Sequence, residues 1–285
     1  MKISVITPSF NQGRFIEDAI RSVLIQDYPD FEHIVIDNCS SDNTIDVLKR
    51  YPHIRWISEP DHGQSHALNK GFHMATGDIL AWLNCDDLYL RGAFHTAARY
   101  LGDPRIDGVY SDLQFCDINW RVIKRYRSHR PVKFLSLFHN FISSECFFFK
   151  RRIVDDNIVV REDLNYCMDQ EFAANLLYRN YRLRYVKDCF ALFRWHGANK
   201  SIDTPSGRSQ RAREGIRIFN SHNGLIRLDE ENARHRQLYA LGRTLLKPYR
   251  VFLKATNDFD DKIHHDKLGR WPSFGRETRR SAGEI

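Results

Sequence analysis

The sequence is poor in residues that break or cross-link a chain. Glycine and proline together fill only 24 of 285 positions, which excludes collagen-like and low-complexity chains. A content of 42% hydrophobic and 28% charged residues excludes wholesale disorder. The six cysteines (Cys39, Cys85, Cys116, Cys146, Cys167 and Cys189) form no CxxC pair, so neither a zinc ribbon nor a dense disulfide framework is expected, and a reducing compartment is. No stretch approaches the roughly 18 apolar residues of a spanning helix. The opening MKISVITPSF enters a strand pattern with no small-residue cleavage site, so the expectation is a cytoplasmic protein without a classical export signal. Glycine-rich phosphate loops are missing too. Where GxGxxG or GxxxxGK(S/T) would follow the first strand, TPSFNQG stands instead, which argues against dinucleotide-binding dehydrogenases and P-loop ATPases.

What is present has an uneven charge. Residues 1–120 carry 10 Lys and Arg against 17 Asp and Glu, and the remainder carries 33 against 19, so a total of +7 hides an acidic first part and a strongly basic second. Through residue 115, short β-branched runs alternate with helical periodicity. ISVIT (3–7), HIVID (33–37), IRWIS (54–58), DILAWL (78–83) and GVYSD (108–112) read as strands, nearly continuous in apolar character as parallel strands covered on both faces should be. Ile16, Ala19, Ile20, Val23 and Leu24 follow a helical stripe, and 44–51 and 65–75 are helical in composition. Alternation of this kind predicts an α/β fold with a doubly wound, mostly parallel sheet.

Such sheets bind ligands beyond the carboxyl ends of their strands. The residues there are Thr7-Pro8-Ser9-Phe10-Asn11, Asp37-Asn38-Cys39-Ser40-Ser41-Asp42, Glu59-Pro60-Asp61-His62-Gly63 and Asn84-Cys85-Asp86-Asp87. Without a phosphate loop, a nucleotide diphosphate needs its charge neutralised otherwise. Asn84-Cys85-Asp86-Asp87 offers hard oxygen ligands for magnesium or manganese, ions that commonly take one or two carboxylates plus substrate phosphates. His62 and His66 mimic a zinc pair beside Asp61 but lack a third ligand at recognisable spacing.

The run VITPSFNQGRFIEDAIRSVLIQDYPDFEHIVIDNCSSDNT, followed by EPDHGQSHALNKGFHMATGDILAWLNCDD, resembles family 2 glycosyltransferases, the inverting GT-A enzymes that use nucleotide-activated sugars. The resemblance covers roughly residues 1–200 and is most specific over the first 90. It implies a GT-A domain over 1–205, with a nucleotide-sugar half (1–115) and an acceptor and catalytic half (116–205). It also implies a donor that is a nucleotide-diphosphate sugar, UDP-linked by default, and a divalent cofactor, Mn2+ or Mg2+. By resemblance, Asp37 hydrogen-bonds the nucleotide base, Thr7, Pro8 and Ser9 line the same pocket, and Asn38 and Asn69 join the donor site. Asn84 stands where many members have the first Asp of a D-x-D motif, and a neutral amide there can still bond a ribose hydroxyl. Asp86 takes the metal-binding position, and Asp87 supports it or helps bind donor. Met168-Asp169-Gln170-Glu171 resembles the segment carrying the catalytic base, with Asp169 as base and Glu171 the acid two residues on. Phe193-Arg194-Trp195-His196-Gly197 resembles a segment whose histidine completes the metal shell, which makes His196 a metal ligand and Lys200 a helper at the diphosphate. Enzymes resembling this one often build surface polysaccharide or glycolipid on saccharide or lipid-linked acceptors at the inner face of the cytoplasmic membrane.

Each of these residues also has a plainer role open to it. Asp37, Asn38, Ser41 and Asp42 suit a βα turn, Asp86 and Asp87 suit a helix cap, and a histidine among aromatics commonly just packs. Residues 206–285 read as a helical, basic C-terminal extension. From His235 to Lys254 apolar and basic residues mix with no acid, which suits either an anionic membrane surface or packing on the domain, and Pro248 implies a kink or two short helices. Rival functions are a sugar nucleotidyltransferase, which TPSFNQG does not favour, an inactive transferase-like protein, and a nucleic-acid-binding protein. The last lacks any known motif and would meet phosphates with an acidic cleft, so no nucleic-acid partner is expected.

Overall fold

Alternation of buried side chains along the strands sets the layers of the molecule. The computed structural model describes residues 1–202 and 204–256. In it β1 (Ile3–Ser9), β2 (Phe31–Asp37), β3 (Arg55–Ser58) and β4 (Ile79–Trp82) pair in parallel in the order β3-β2-β1-β4. The sheet continues through β5 (Leu88–Tyr89), β6 (Gly108–Cys116), β7 (Val122–Tyr126), β8 (Phe147–Lys150) and β9 (Leu183–Arg194). Its path is β3-β2-β1-β4-β8-β6-β9-β5, with β7 pairing β6 to the side. β6 and β9 run with the first four strands, while β5, β7 and β8 run against them. Six of nine strands thus share one direction, and the expected mostly parallel α/β sheet is present.

Helices cover both faces. Ile6, Ile34, Ile36, Leu80, Trp82, Phe147 and Phe149 share an apolar cluster with α3 (Gln64–Met74) and with α7 (Met168–Tyr178). Their neighbours in sequence, Ile3, Val5, Ile79, Ala81 and Phe148, cluster instead with α1 (Ile16–Leu24) and α4 (Ala93–Leu101). α2 (Thr44–Lys49) packs against α1 through Val47 and Leu48. The period-2 switch of face is what a strand covered on both sides requires.

Beyond residue 120 the sequence pattern loosens because the elements are short: α5 (Lys133–Ser136), a 3-10 turn at Ser144–Cys146 and α6 (Arg152–Asp155). The expected strands over 182–196 are one continuous strand, β9. The basic C-terminal region forms α8 (Pro205–His222), α9 (Ala233–Leu245) and α10 (Lys247–Thr256). Pro248 is the second residue of α10, a position whose N–H has no helical partner, so the chain makes two helices there. Residue 205 does not divide two packing units. Ile216, Ile218, Phe219, Tyr239 and Leu253 are buried in the same cluster as Phe172 and Leu176 of α7. The part of the expected extension over 257–285 lies outside the described residues.

Candidate functional site

A cleft of about 760 Å³ opens at the carboxyl edge of β1, β2 and β4. Pro8, Ser9, Asn11 and Gln12 line it from the first loop, Asn38 from the second, Asp61 and Gln64 from the third, and Asn84 and Asp86 from the fourth. The opposite wall is Glu145, Tyr166, Asp169, His196, Lys200 and Arg211.

The first two loops interlock. Asn11, in the left-handed backbone region at φ 52°, accepts from Ser41 N through Oδ1 at 2.8 Å, and its own N donates to Ser40 Oγ at 2.7 Å. Asn is one of the few side chains that visits that region readily. Gly13 N donates to Asp42 at 2.9 Å, and a Cβ on Gly13 would lie 2.0 Å from Asn43 Oδ1. The single glycine of TPSFNQG therefore serves loop contact.

Behind this wall lie three residues assigned to the donor from sequence. Asp37 is fully buried and accepts from Ser40 N at 2.9 Å, from Ser40 Oγ, and from Ser58 Oγ at 2.7 Å. Thr7 is buried with Oγ1 2.8 Å from His33 Nε2. Asn69 faces away from the cleft, accepting from Val160 N and donating to Val160 O, both at 2.9 Å. None of the three lines the cleft, and each spends polar atoms on neighbouring backbone or side chains. Pro8, Ser9 and Asn38 do line it.

The loop after β4 carries a compact polar network. Asn84 Oδ1 accepts from Trp82 Nε1 at 2.9 Å and from Gln64 Nε2 at 2.8 Å, and Nδ2 donates to Asp87 Oδ2 and Glu145 Oε1, both at 3.0 Å. The amide is thus saturated within the protein, and the ribose contact implied by resemblance would have to displace one of these partners. Asp87 is fully buried and absent from the cleft wall. Burial, followed by the charges of Asp86 and Glu145, pushes its pKa well up. Glu145, also buried, is pushed up to about 7 by burial. A hydrogen bond joins Asp87 to Glu145, so the pair keeps a proton that exposed carboxylates would lose.

Asp86 and His196 meet across the cleft. His196 Nε2 lies 3.0 Å from Asp86 Oδ2, Ala198 N donates to His196 Nδ1 at 3.3 Å, and Phe15 stacks on the imidazole with centroids 4.5 Å apart. Arg194 anchors this wall: it is buried, its guanidinium 3.9 Å from the Trp120 ring centre and 2.9 Å from Asp18 Oδ2. Among the described residues no three His, Cys, Asp or Glu side chains cluster as a metal cage. A carboxylate oxygen and an imidazole nitrogen converging on the cleft do suit a divalent ion that takes its other ligands from diphosphate and water. His62 and His66 merely stack, with centroids 4.8 Å apart.

Asp169 is the second residue of α7 and half-buried. Asn140 Nδ2 donates to Oδ2 at 2.6 Å and Gln170 N to Oδ1 at 2.8 Å. Burial, only partly offset by these bonds and by the charge of Lys200, pushes its pKa up to about 6. A carboxylate of that basicity is ionised at neutral pH and still accepts a proton readily. Lys200 lines the same cleft, its own pKa lowered by burial. Glu171 is buried on another side of α7, 3.7 Å from His222, and does not line the cleft.

Glu145, Arg211, Tyr166 and Asn140 escaped the sequence reading. Glu145 precedes a strand, and strand ends alone were suspected. β8 runs against β4, so its start faces the cleft. The apolar run CFFF (146–149) was visible, but its direction was not.

The description "Glycosyl transferase family 2" matches residues 4–163. A protein of Bacillus subtilis named for teichuronic acid biosynthesis, the glycosyltransferase TuaG, is 41% identical over 91 residues, 30% of this chain and 36% of that one. The aligned part is 36% of the length of TuaG and 42% of that of an uncharacterised glycosyltransferase of Nostoc, so this chain spans less than half of these relatives. The structure of Staphylococcus aureus TarS 1–349 with UDP-GlcNAc superposes with a TM-score of 0.63 at 20% identity, covering 93% of this chain and 77% of that chain. A mannosyltransferase of Pyrobaculum calidifontis with GDP-Man and Mn2+ gives 0.61 at 20% identity, covering 92% and 76%. Identities this low speak for a shared fold.

Proposed function

The chain belongs to glycosyl transferase family 2, and from that premise we propose that it moves a sugar from a nucleotide-diphosphate sugar to an acceptor hydroxyl with inversion. The observation that carries this reading is Asp169, a carboxylate raised to about 6 in a cleft it shares with Asp86 and His196. In the proposed reaction the acceptor oxygen bonds to the anomeric carbon while the bond to the diphosphate oxygen breaks. The hydroxyl proton passes to Asp169, and nucleoside diphosphate leaves. Asn140 and Gln170 N hold the Asp169 oxygens in place, and one displacement needs no covalent intermediate.

Pro8, Ser9 and Asn38 are the proposed donor contacts. Asn84 lines the cleft beside them, whereas Thr7, Asp37 and Asp87 are buried outside its wall; Asp37 reaches the base only if Ser40 or Ser58 yields its bond. Lys200 faces the diphosphate charge. Asp86 and His196 would hold a divalent ion, Mn2+ by analogy with the mannosyltransferase complex, and when bound such an ion neutralises diphosphate charge. The likeness to TarS with UDP-GlcNAc supports a UDP-sugar, and the TuaG relationship supports a cell-surface saccharide or lipid-linked acceptor. No helix among the described residues is long and apolar enough to cross a membrane, so the proposed contact with the cytoplasmic membrane is peripheral.

A screen of UDP-, GDP- and dTDP-sugars with and without Mn2+, read as nucleoside diphosphate release, tests the reading. One sugar nucleotide should be consumed, faster with metal, and chelator or Asp86→Ala should weaken calorimetric binding of the released nucleotide. Release from no donor removes the transferase reading, and unchanged nucleotide binding removes the metal.

A further inference from the structure

α8 runs behind the turn that delivers Asp169. The helix carries Arg208, Arg211, Arg213 and Arg217 but a single acid, Glu214, and that acid is fully buried. Glu214 Oε1 accepts from Asn165 N and Gln210 Nε2, both at 3.0 Å, and Oε2 accepts from Tyr166 N and Cys167 N, both at 2.8 Å. Three of these four donors are consecutive backbone amides leading into α7, whose N-cap residue Cys167 makes no side-chain cap of its own. A carboxylate at a helix start also meets the favourable end of its dipole, and bonds from N–H to carboxylate are among the stronger kind. The brace extends along the segment: Arg217 Nη1 reaches Asp163 O at 3.5 Å, and Arg161 Nη1 reaches Ser221 Oγ at 3.1 Å.

We propose that Glu214 is a positioning residue for Asp169, the base assigned under the proposed function, acting by clamping the 165–167 backbone from α8. Asp169 lies two residues beyond Cys167, inside the first turn of α7, so the clamp fixes where its carboxylate sits. Tyr166, in the middle of the clamped turn, lines the cleft with the Lys200 and Arg211 cations 5.7 Å and 5.4 Å from its ring centre. Releasing the turn therefore disturbs the wall that carries Tyr166 and Asp169 and leaves Pro8, Ser9 and Asn38, on the facing loops, untouched.

The test pairs Glu214→Ala with Glu214→Gln, which keeps one acceptor oxygen and turns an amide toward the remaining donors. Turnover should fall about 10²-fold in the first, because displacements of about 1 Å cost that much, and about tenfold in the second. Donor KM and calorimetric affinity for nucleoside diphosphate should stay within about twofold. Hydrogen exchange should quicken at residues 165–170 and stay unchanged in the central strands. In an Asp169→Asn background, Glu214→Gln should cost nothing further, since two residues acting as one are not additive. Undiminished turnover, equal losses in donor affinity and turnover, exchange rising across the whole chain, or additive losses would each overturn the assignment. If Glu214→Ala does not fold, Glu214→Gln carries the same comparisons. If the native chain transfers no sugar, the functional reading fails, and local exchange at 165–167 still decides whether the clamp exists.

Discussion

Glu145 and Asp169 bind protons more tightly than exposed carboxyls do, chiefly through burial, with pKa values raised to about 7 and about 6. Between the ordinary carboxylate value and the raised one, the folded chain holds a proton that the unfolded chain has lost, so stability is greatest below that window and declines as pH rises through it. Thermal unfolding of the ligand-free protein isolates the Glu145 part as a difference: the Tm of Glu145→Gln relative to the native chain should rise progressively from about pH 4.5 to 7. A difference that does not change with pH would count against the raised value. For Asp169 the consequence is catalytic. Turnover should drop about tenfold per pH unit below about 6 and level off above it, and Asp169→Asn should lose at least ~10²-fold in turnover with donor affinity retained. A variant keeping most of its turnover would end the base assignment. As residues of the cleft wall, Asp86, Asp169 and His196 were legible because each sits in a recognisable short segment. Glu145 was not, since a lone acid before an apolar run has no signature until the strand's direction is known.

At the scale of elements, β1, β2 and β4 were readable because they are mostly buried and nearly uninterrupted in apolar character. β5, with two residues, and α5 and α6, with four each, are too short to show a period. The contact between α8 and α9 was equally hidden, since it depends on a glycine in mid-helix, where alanine would ordinarily be favoured. Gly215 faces Tyr239 so closely that a Cβ would lie 2.5 Å from its hydroxyl, and that hydroxyl donates to Leu137 O at 2.6 Å. Gly215→Ala should therefore destabilise by about 1–3 kcal/mol despite its better helix propensity. Chemical denaturation would read this as a lower midpoint with unchanged slope, and a stabilised variant would show that α9 moves aside freely.

For the whole molecule, the basic C-terminal helices set some apolar residues against the domain and leave others exposed. Tyr239 and Leu253 are buried on the domain, whereas Leu238, Leu241, Leu245, Tyr249 and Phe252 are exposed. Arg243 and Lys247 are exposed beside that stripe, while Arg250 is half-buried and hydrogen-bonds Tyr126. At ~1 kcal/mol per cation near an anionic surface, with the stripe entering the interface, the protein should cosediment with anionic but not neutral vesicles. Arg234→Glu, Arg243→Glu and Lys247→Glu together, or high salt, should release it. Equal recovery in the supernatant with both lipids would end the membrane proposal.

The six cysteines give the molecule one chemical handle. All are unpaired, and only Cys39 is exposed. Burial pushes Cys116, Cys167 and Cys189 up to about 12, so at pH 8 their reactive thiolate fraction is about 10⁻⁴, and burial raises Cys85 and Cys146 as well. Cys39 follows Asn38, a residue of the cleft wall. A thiol-specific chromophore should titrate one rapid equivalent in the native protein and six after unfolding. Saturating nucleotide should slow the rapid one, turning a position with no chemistry of its own into a stoichiometric reporter of donor occupancy.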